Sequence, residues 1–438
     1  MRSYQLKPAL SLEGVITLPA DKSIAHRAII IASLAKGNTK IKNFVFSKDC
    51  FSTINAFRQL NIKIKIKNKK EVIVFGKGLF GLKSPKVPIF TGESGTTMRL
   101  LAGILCGQDF VSTLRAAQSL SKRPMKRITE PLRLMQANIF GVVENKEEYP
   151  PLVIRPGILK GINYTLPVAS SQVKSCLLFA GLYAKGKTTI IENIQSRDHT
   201  ERMLKMFKAQ IKVNNLKVTI VKTPNLHSPG NIQIPGDISS ASFFIVGAVI
   251  LPGSNLLIKD VGLNPTRLGL INVLKRMKAN ITILPKDKNN QSEPRGDILI
   301  KSSSLKGTVI RKQEVPSLID ELPILMIAAG LAKGKTVING IEELRHKETD
   351  RIKSMLLNLE KMGVKIKLQE KPEEMLIIEG REKFYGSSNL QSFGDHRTAM
   401  SLIIASLRAK KPSKIDDVDC IKKSFPNFIK ILDSLVVR

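Results

Sequence analysis

Four stretches of this sequence are near-copies of one another, and a chain that repeats one unit must fold as copies of one supersecondary structure stacked on its neighbours. They read LPADKSIAHRAIIIASLAKGNTKIKN from Leu18, LPVASSQVKSCLLFAGLYAKGKTTIIEN from Leu166, IPGDISSASFFIVGAVILPGSNLLIKD from Ile234 and VPSLIDELPILMIAAGLAKGKTVING from Val315. Each runs through a proline, a polar turn, an apolar helix, a glycine and a β-branched strand. The proline-to-glycine spacings, Pro19 to Gly37, Pro167 to Gly186, Pro235 to Gly253 and Pro316 to Gly334, are 18, 19, 18 and 18 residues. Two weaker copies, VPIFTGESGTTMRLLAGILCGQDFVSTL from Val87 and SFGDHRTAMSLIIASLRAKKPSKIDD from Ser392, bring the number to six, the last without the proline and the glycine.

A second helix follows each strand, and FRQLNIKIK, FKAQIKV, LKRMKANITI and LEKMGVKIK all run from that helix into another strand. The unit is therefore α/β and about seventy residues long. Three such units make a domain of ordinary size, so six make two similar lobes. The expected break lies at about Pro235: residues 20–235 form one lobe, and residues 1–19 with 236–438 form the other, the first strand joining the C-terminal lobe across two crossovers. The longest uncharged run, Ile238 to Ile258, is broken by Pro252-Gly253-Ser254-Asn255; it is too short to span a bilayer and reads as a buried helix, a turn and a strand.

Polar residues recur where the first helix of each unit begins: Lys22, Ser23 and Arg27; Gly95, Thr96 and Arg99; Ser170, Ser171 and Gln172; Asp320; and Asp395, His396 and Arg397. Helix starts carry unpaired N–H groups and a positive partial charge, so several together make an anion site before any side chain is counted. The second helices add Arg123, Ser196, Arg197 and Lys423, and the segment IEELRHKETDRI, Ile341 to Ile352. Read as a helix, that segment sets Lys347 and Arg351 at i and i+4, a repulsive pair by roughly 0.2–0.5 kcal/mol that calls for an anion, with Glu348 beside them as an ion-pair partner or a proton-transfer group. Such a charge run is more often a solvated face. Asp21 and Asp237 read as plain N-caps, whereas Lys22, Arg123, Arg351 and Arg397 can only donate and so cannot be caps. The histidines read as structural or exposed, and Cys176 as core.

The balance of 70 Lys and Arg against 36 Asp and Glu, net +34, admits nucleic acid, a membrane surface or a small acidic substrate as partner. With 5% aromatic residues and no Trp there are few platforms on which bases could stack. Cys50, Cys106, Cys176 and Cys420 lie far apart and suggest neither a zinc site nor a disulfide framework. The opening MRSYQLKPALSLEG has no apolar core, so no signal peptide is expected, and a reducing cytoplasm suits the chain.

Taken in order, DKSIAHR, SGTTMR, KRPM, SSQVKS, the Asp320 segment, KETDR, GDHRTAM and KSFP resemble the 3-phosphoshikimate 1-carboxyvinyltransferase (EPSP synthase) family of the enolpyruvyl transferases. The resemblance implies an α/β fold of two similar lobes, each of three repeated units around parallel helices, closing on substrate. It implies transfer of the carboxyvinyl group of phosphoenolpyruvate to the 5-hydroxyl of shikimate 3-phosphate, by a cytoplasmic monomer that needs no metal or cofactor and binds neither nucleic acid nor membrane. Shikimate 3-phosphate would be held by Lys22, Ser23, Arg27, Ser170, Ser171, Gln172, Ser196, Asp320 and Lys347. Phosphoenolpyruvate would be held by Lys22, Gly95, Arg123, Gln172, Arg351, Arg397 and Lys423. Asp320 would be the base, and Glu348, with Lys22, the proton donor. One residue departs from the family pattern: Glu93 stands where an Asn is usual, and a carboxylate there opposes an incoming anion unless a neighbouring Arg or Lys pairs with it. The alternatives are UDP-N-acetylglucosamine 1-carboxyvinyltransferase, whose opening has a Lys-Asn pair where this chain has Lys22-Ser23, and a basic repeat scaffold for nucleic acid.

Overall fold

The computed structural model describes residues 3–68, 70–286, 293–370 and 373–438. Its helices fall into six successive sets. They are α1 (Lys22–Leu34) with α2 (Lys48–Gln59); α3 (Gly95–Leu105) with the short α4 (Gln118–Ser121) and α5 (Lys126–Leu134); and α6 (Ser171–Gly181) with α7 (His199–Met206). Then come α8 (Ile238–Ile250) with α9 (Gly269–Arg276), α10 (Leu322–Ala329) with α11 (Arg351–Lys361), and α12 (His396–Leu407) with α13 (Phe428–Asp433). The chain divides into two compact lobes, one of Ala20–Pro235 with the short segment ending at Glu293, the other of the chain up to Pro19 and most of the chain from Gly236 on.

The repeated glycine has a single cause. Gly37, Gly186, Gly253 and Gly334 have φ of 98°, 86°, 76° and 89°, where an L side chain costs roughly 1–2 kcal/mol. Gly186, Gly253 and Gly334 make the turn from the first helix to its strand, while Gly37 lies just inside the strand Ala35–Lys42, opposite Gly76. Five of the six sheets among the described residues then repeat one pairing scheme, a short strand parallel to the strand after the first helix, which is antiparallel to a hairpin. Asn163–Leu166 runs beside Lys187–Glu192, which pairs with Lys217–Val221; Val309–Ile310 runs beside Lys335–Asn339, which pairs with Met375–Glu379. In the fourth set the parallel partner of Asn255–Gly262 is Ser11–Thr17, from the start of the chain, with Ile16 opposite Ile258. The sixth set, whose sequence lacks the proline and glycine, has a two-stranded pairing, Tyr4–Leu6 with Ser413–Ile415, and keeps the parallel partner as single bridges, Phe384 to Ala409 and Leu390 to Ile415.

Burial explains the composition of the first helices. All thirteen residues of α8 and all eight of α10 are buried, and a helix surrounded on every side must be apolar on every side. The lysine-rich stretch after α2 is a strand, Lys63–Lys67, with Ile64 in the core and its lysines solvated. Gly103 of α3 sits where a Cβ would lie 2.1 Å from the carbonyl oxygen of Cys176 in α6, so those two helices approach backbone to backbone. Because these helices are packed solid along their lengths, their charged residues and histidines lie in their N-terminal halves, and serines farther along, such as Ser33 and Ser406, are satisfied by the carbonyl four residues back.

Candidate functional site

In the first lobe three helix starts and one loop carry the candidates. Asp21 caps α1, its Oδ1 accepting from Ile24 N at 2.9 Å; Asp237 caps α8 in the same way in the other lobe. Lys22 Nζ meets Asp49 Oδ2 of α2 at 2.8 Å. Burial pushes the Asp49 carboxyl up, but the Lys22 ammonium more than offsets it and holds the group below the usual carboxylate range. Arg27, 3% exposed, donates from Nε to Thr200 Oγ1 at 2.7 Å, from Nη2 to Ser175 Oγ at 3.0 Å and from Nη1 to the Ser23 carbonyl at 3.0 Å. Three of its five N–H groups are thus committed and two remain.

Gln172 is clamped. Its Oε1 accepts from Arg99 Nη1 at 2.5 Å and its Nε2 donates to Thr96 Oγ1 at 3.0 Å, which fixes its amide orientation between α3 and α6. Burial, and then the charges of Arg127 and Arg123, bring the Arg99 guanidinium down to about 10, so it stays protonated at neutral pH. Ser170 caps α6 through Val173 N, and Ser94 caps α3, placing Gly95 as its first residue. Ser196 Oγ is buried without a hydrogen-bond partner among the described residues. Arg123 follows α4 and has no carboxylate within 4 Å among the described residues.

Glu93 departs from expectation. It pairs with no Lys or Arg among the described residues; instead its carboxylate accepts from the Ser119 hydroxyl and, at 3.4 Å, from the Ser119 backbone N–H. The N-cap of α4 is Ala117, which has no capping side chain, so Glu93 supplies the missing acceptor from outside the helix.

In the second lobe the candidates form one ion cluster. Arg351, 1% exposed, donates from Nε to Asp395 Oδ2 at 3.0 Å and from Nη2 to Glu348 Oε2 at 2.6 Å; its Nη1 makes no hydrogen bond among the described residues and lies 3.8 Å from Asp320 Oδ1. Arg397 donates from Nη1 to the Asp320 carbonyl at 2.8 Å and approaches Asp320 Oδ2 at 3.7 Å and Glu321 Oε1 at 3.8 Å. Asp395, fully buried, also caps α12 through Arg397 N and Thr398 N. Burial pushes the Glu348 carboxyl up, but the charge of Arg351, with smaller help from His396 and Arg397, carries it down to about 2. Burial and the charge of Arg397 bring the His396 ring down to about 4, so it is neutral.

The helical reading of Ile341–Ile352 fails. Glu342–His346 is a 3-10 turn, Lys347 is extended with φ −89° and ψ −157°, and α11 starts only at Arg351 because Asp350 caps it through Ile352 N and Lys353 N. Lys347 and Arg351 therefore share no helical face, and the anions beside Arg351 are the protein's own Glu348 and Asp395. Lys423 is exposed at the end of the turn Asp419–Lys423, with no hydrogen bond or ion pair to Arg351 or Arg397 among the described residues. Residues that the sequence did not single out are Asp49 and Glu321; Asp395 beside Arg351, and Thr96 and Arg99, which clamp Gln172, were singled out only as helix-start residues. Asp395 was within reach, since it stands in the cap position directly before His396 and Arg397.

Solved EPSP synthases from Acinetobacter baumannii share this fold. One aligns with a TM-score of 0.90 at 41% identity, over 100% of this chain and 99% of that one. A family model described as EPSP synthase (3-phosphoshikimate 1-carboxyvinyltransferase) matches residues 6–432. A 3-phosphoshikimate 1-carboxyvinyltransferase of Thermodesulfovibrio yellowstonii is 50% identical over 431 residues, 98% of this chain and 99% of the relative. One of Petrotoga mobilis is 47% identical over 432 residues, again covering 98% and 99%. The chain belongs to the EPSP synthase family.

Proposed function

We propose that the protein transfers the carboxyvinyl group of phosphoenolpyruvate to the 5-hydroxyl of shikimate 3-phosphate and releases phosphate, with the first lobe supplying most of the anion binding and the second the proton transfers. The reading rests most directly on the second-lobe cluster, in which Arg351 and Arg397 hold Asp320 and Glu348 as a set. Shikimate 3-phosphate is bound by Lys22, Ser23, Arg27, Ser170, Ser171, Gln172 and Ser196, with Asp320 and Lys347 on the second lobe. Phosphoenolpyruvate is bound by Lys22, Gly95, Arg123 and Gln172, with Arg351, Arg397 and Lys423.

Asp320 takes the proton of the 5-hydroxyl as its oxygen attacks C2 of phosphoenolpyruvate, and Glu348, assisted by Lys22, delivers a proton to the methylene carbon. The tetrahedral adduct then loses a methyl proton and phosphate to give the enol ether. A Glu348 held near 2 is ionised and cannot donate. An anionic substrate drawing on Arg351 removes part of the charge that depresses it, so Glu348 gains its proton only when substrate is in place. Cations already fixed in position stabilise the charge that builds on the substrate without reorganising.

The same reading has the protein working as a monomer in the cytoplasm, which its four buried, unpaired cysteines suit. Among the described residues no helix is long and apolar enough to cross a membrane. The test is phosphate release from both substrates together against each alone. Release only with both is expected; release from phosphoenolpyruvate alone, or none, refutes the reading.

A further inference from the structure

Behind the start of α6 lies a buried ion cluster to which no role above is given. Lys174 of α6 has its Nζ 2.7 Å from Glu192 Oε2 and 2.7 Å from Glu201 Oε1, and the three side chains are 1%, 3% and 3% exposed. Glu192 ends the strand Lys187–Glu192 and Glu201 lies in the first turn of α7, so the cluster joins a helix, a strand and a second helix. It reaches the candidate phosphate-binding residues by two short paths. Glu192 Oε1 accepts from Ser196 N at 3.1 Å, and Lys174 Nζ lies 3.5 Å from the Ser196 carbonyl oxygen. Both backbone polar groups of Ser196 are therefore held from behind while its Oγ has no partner among the described residues. On the other side Thr200, next to Glu201, accepts from Arg27 Nε at 2.7 Å and lies 2.7 Å from Ser175 Oγ, which donates to the Ser171 carbonyl at 2.5 Å. Arg27 adds a second buried cation, on which Glu201 acts more strongly than any other carboxylate.

Stability alone is a poor reason for such a cluster, because well-packed apolar side chains of similar volume commonly serve as well or better. Apolar replacements could not orient Ser196 and Arg27. We infer that Lys174, Glu192 and Glu201 are positioning residues for the phosphate of the alcohol substrate, an inference that rests on the reading of Ser196 and Arg27 given above. They present the Ser196 hydroxyl and the uncommitted Arg27 N–H groups to a phosphate monoester, and so set the preference for a phosphorylated over an unphosphorylated alcohol. An unphosphorylated alcohol gains nothing from them.

The test is calorimetric titration of shikimate 3-phosphate and of shikimate into the full-length protein and into the charge-neutral double variant Lys174→Met/Glu201→Gln, with the KM for phosphoenolpyruvate measured alongside. Shikimate 3-phosphate affinity is expected to fall at least tenfold, with shikimate affinity within twofold and the KM for phosphoenolpyruvate within threefold. An equal fall for both alcohols, or no fall, overturns the inference. Should the double variant not fold, Glu192→Gln decides by the same ratio: it keeps an oxygen for Ser196 N but turns an amide toward Lys174, and a several-fold loss confined to the phosphorylated alcohol is expected. Failure of both variants to fold would mean that the cluster is structural and would likewise overturn the inference. Unmodified protein that binds no shikimate 3-phosphate would overturn the functional reading instead, which keeps the two failures apart.

Discussion

In the second lobe the candidate arginines already lean on carboxylates, Arg351 on Asp395 and Glu348 and Arg397 on Asp320 and Glu321. In the first lobe Arg99 leans on an amide, Arg27 on hydroxyls and a carbonyl, and Arg123 on no carboxylate among the described residues; of these three and Lys22, Lys22 has a carboxylate within 4 Å, Asp49. The titration behaviour follows. Burial would lower the Arg397 guanidinium, yet Asp320 and Glu321 outweigh it and raise it, whereas burial and the neighbouring arginines both lower Arg99. In one lobe each candidate arginine is balanced by carboxylates beside it, and in the other most of the candidate cations are not.

That contrast predicts different kinds of damage. The largest is expected in the balanced set: Asp320→Asn and Glu348→Gln should each lower turnover by roughly 10²–10⁴ with the fold intact by circular dichroism, and near-normal turnover would remove that residue from the chemistry. Next comes the unbalanced set. Arg123→Met should weaken phosphoenolpyruvate by ten- to a hundredfold, the loss of a charge-assisted hydrogen bond of about 1.5–3 kcal/mol, with little change in shikimate 3-phosphate affinity. Titrating each ligand separately checks this, and equal losses for both would break the assignment.

Acid should find the buried histidine of the first lobe. His26 is 1% exposed with Nδ1 2.6 Å from Thr53 Oγ1, and burial, with the charges of Lys22 and Arg27, lowers it to about 3 against the pull of Asp49. The unfolded chain then binds a proton that the folded chain refuses, so stability falls as pH drops below 6.5 and goes on falling until about 3. Between pH 7 and pH 5 this one group should cost about 2 kcal/mol. Urea unfolding at the two values, with and without His26→Gln, should show the difference shrink in the variant. The neutral His396 of the second lobe pushes the same way, so some of the slope should remain.

The smallest effect is at Glu93. Removal of a carboxylate that opposed the substrate would tighten phosphoenolpyruvate binding. Because Glu93 instead braces α4, just ahead of Arg123, Glu93→Ala should weaken phosphoenolpyruvate by a few-fold, about 1 kcal/mol or less for an exposed contact, and leave shikimate 3-phosphate alone. A tighter phosphoenolpyruvate complex in the variant would restore the repulsive reading.

The repeats could be read from sequence because their marks are local. A glycine at positive φ and a helix apolar on every side both write themselves into consecutive residues, and the helix starts between them point to Lys22, Ser170 and Arg397 without any tertiary knowledge. What could not be read were partners brought together by folding. Asp395 stands 44 residues from Arg351, and Gln172 stands 73 from Arg99. The one local misreading, a helix through Lys347, arose because the charge pattern suits a helix throughout while Asp350 restarts it.

Calorimetric titration of shikimate 3-phosphate into Glu348→Gln, set beside phosphate release by the same preparation, tests the division between the lobes most directly. The account predicts affinity within about twofold of the unmodified protein while turnover falls by roughly 10²–10⁴. A loss of shikimate 3-phosphate affinity in proportion to the loss of turnover would contradict it.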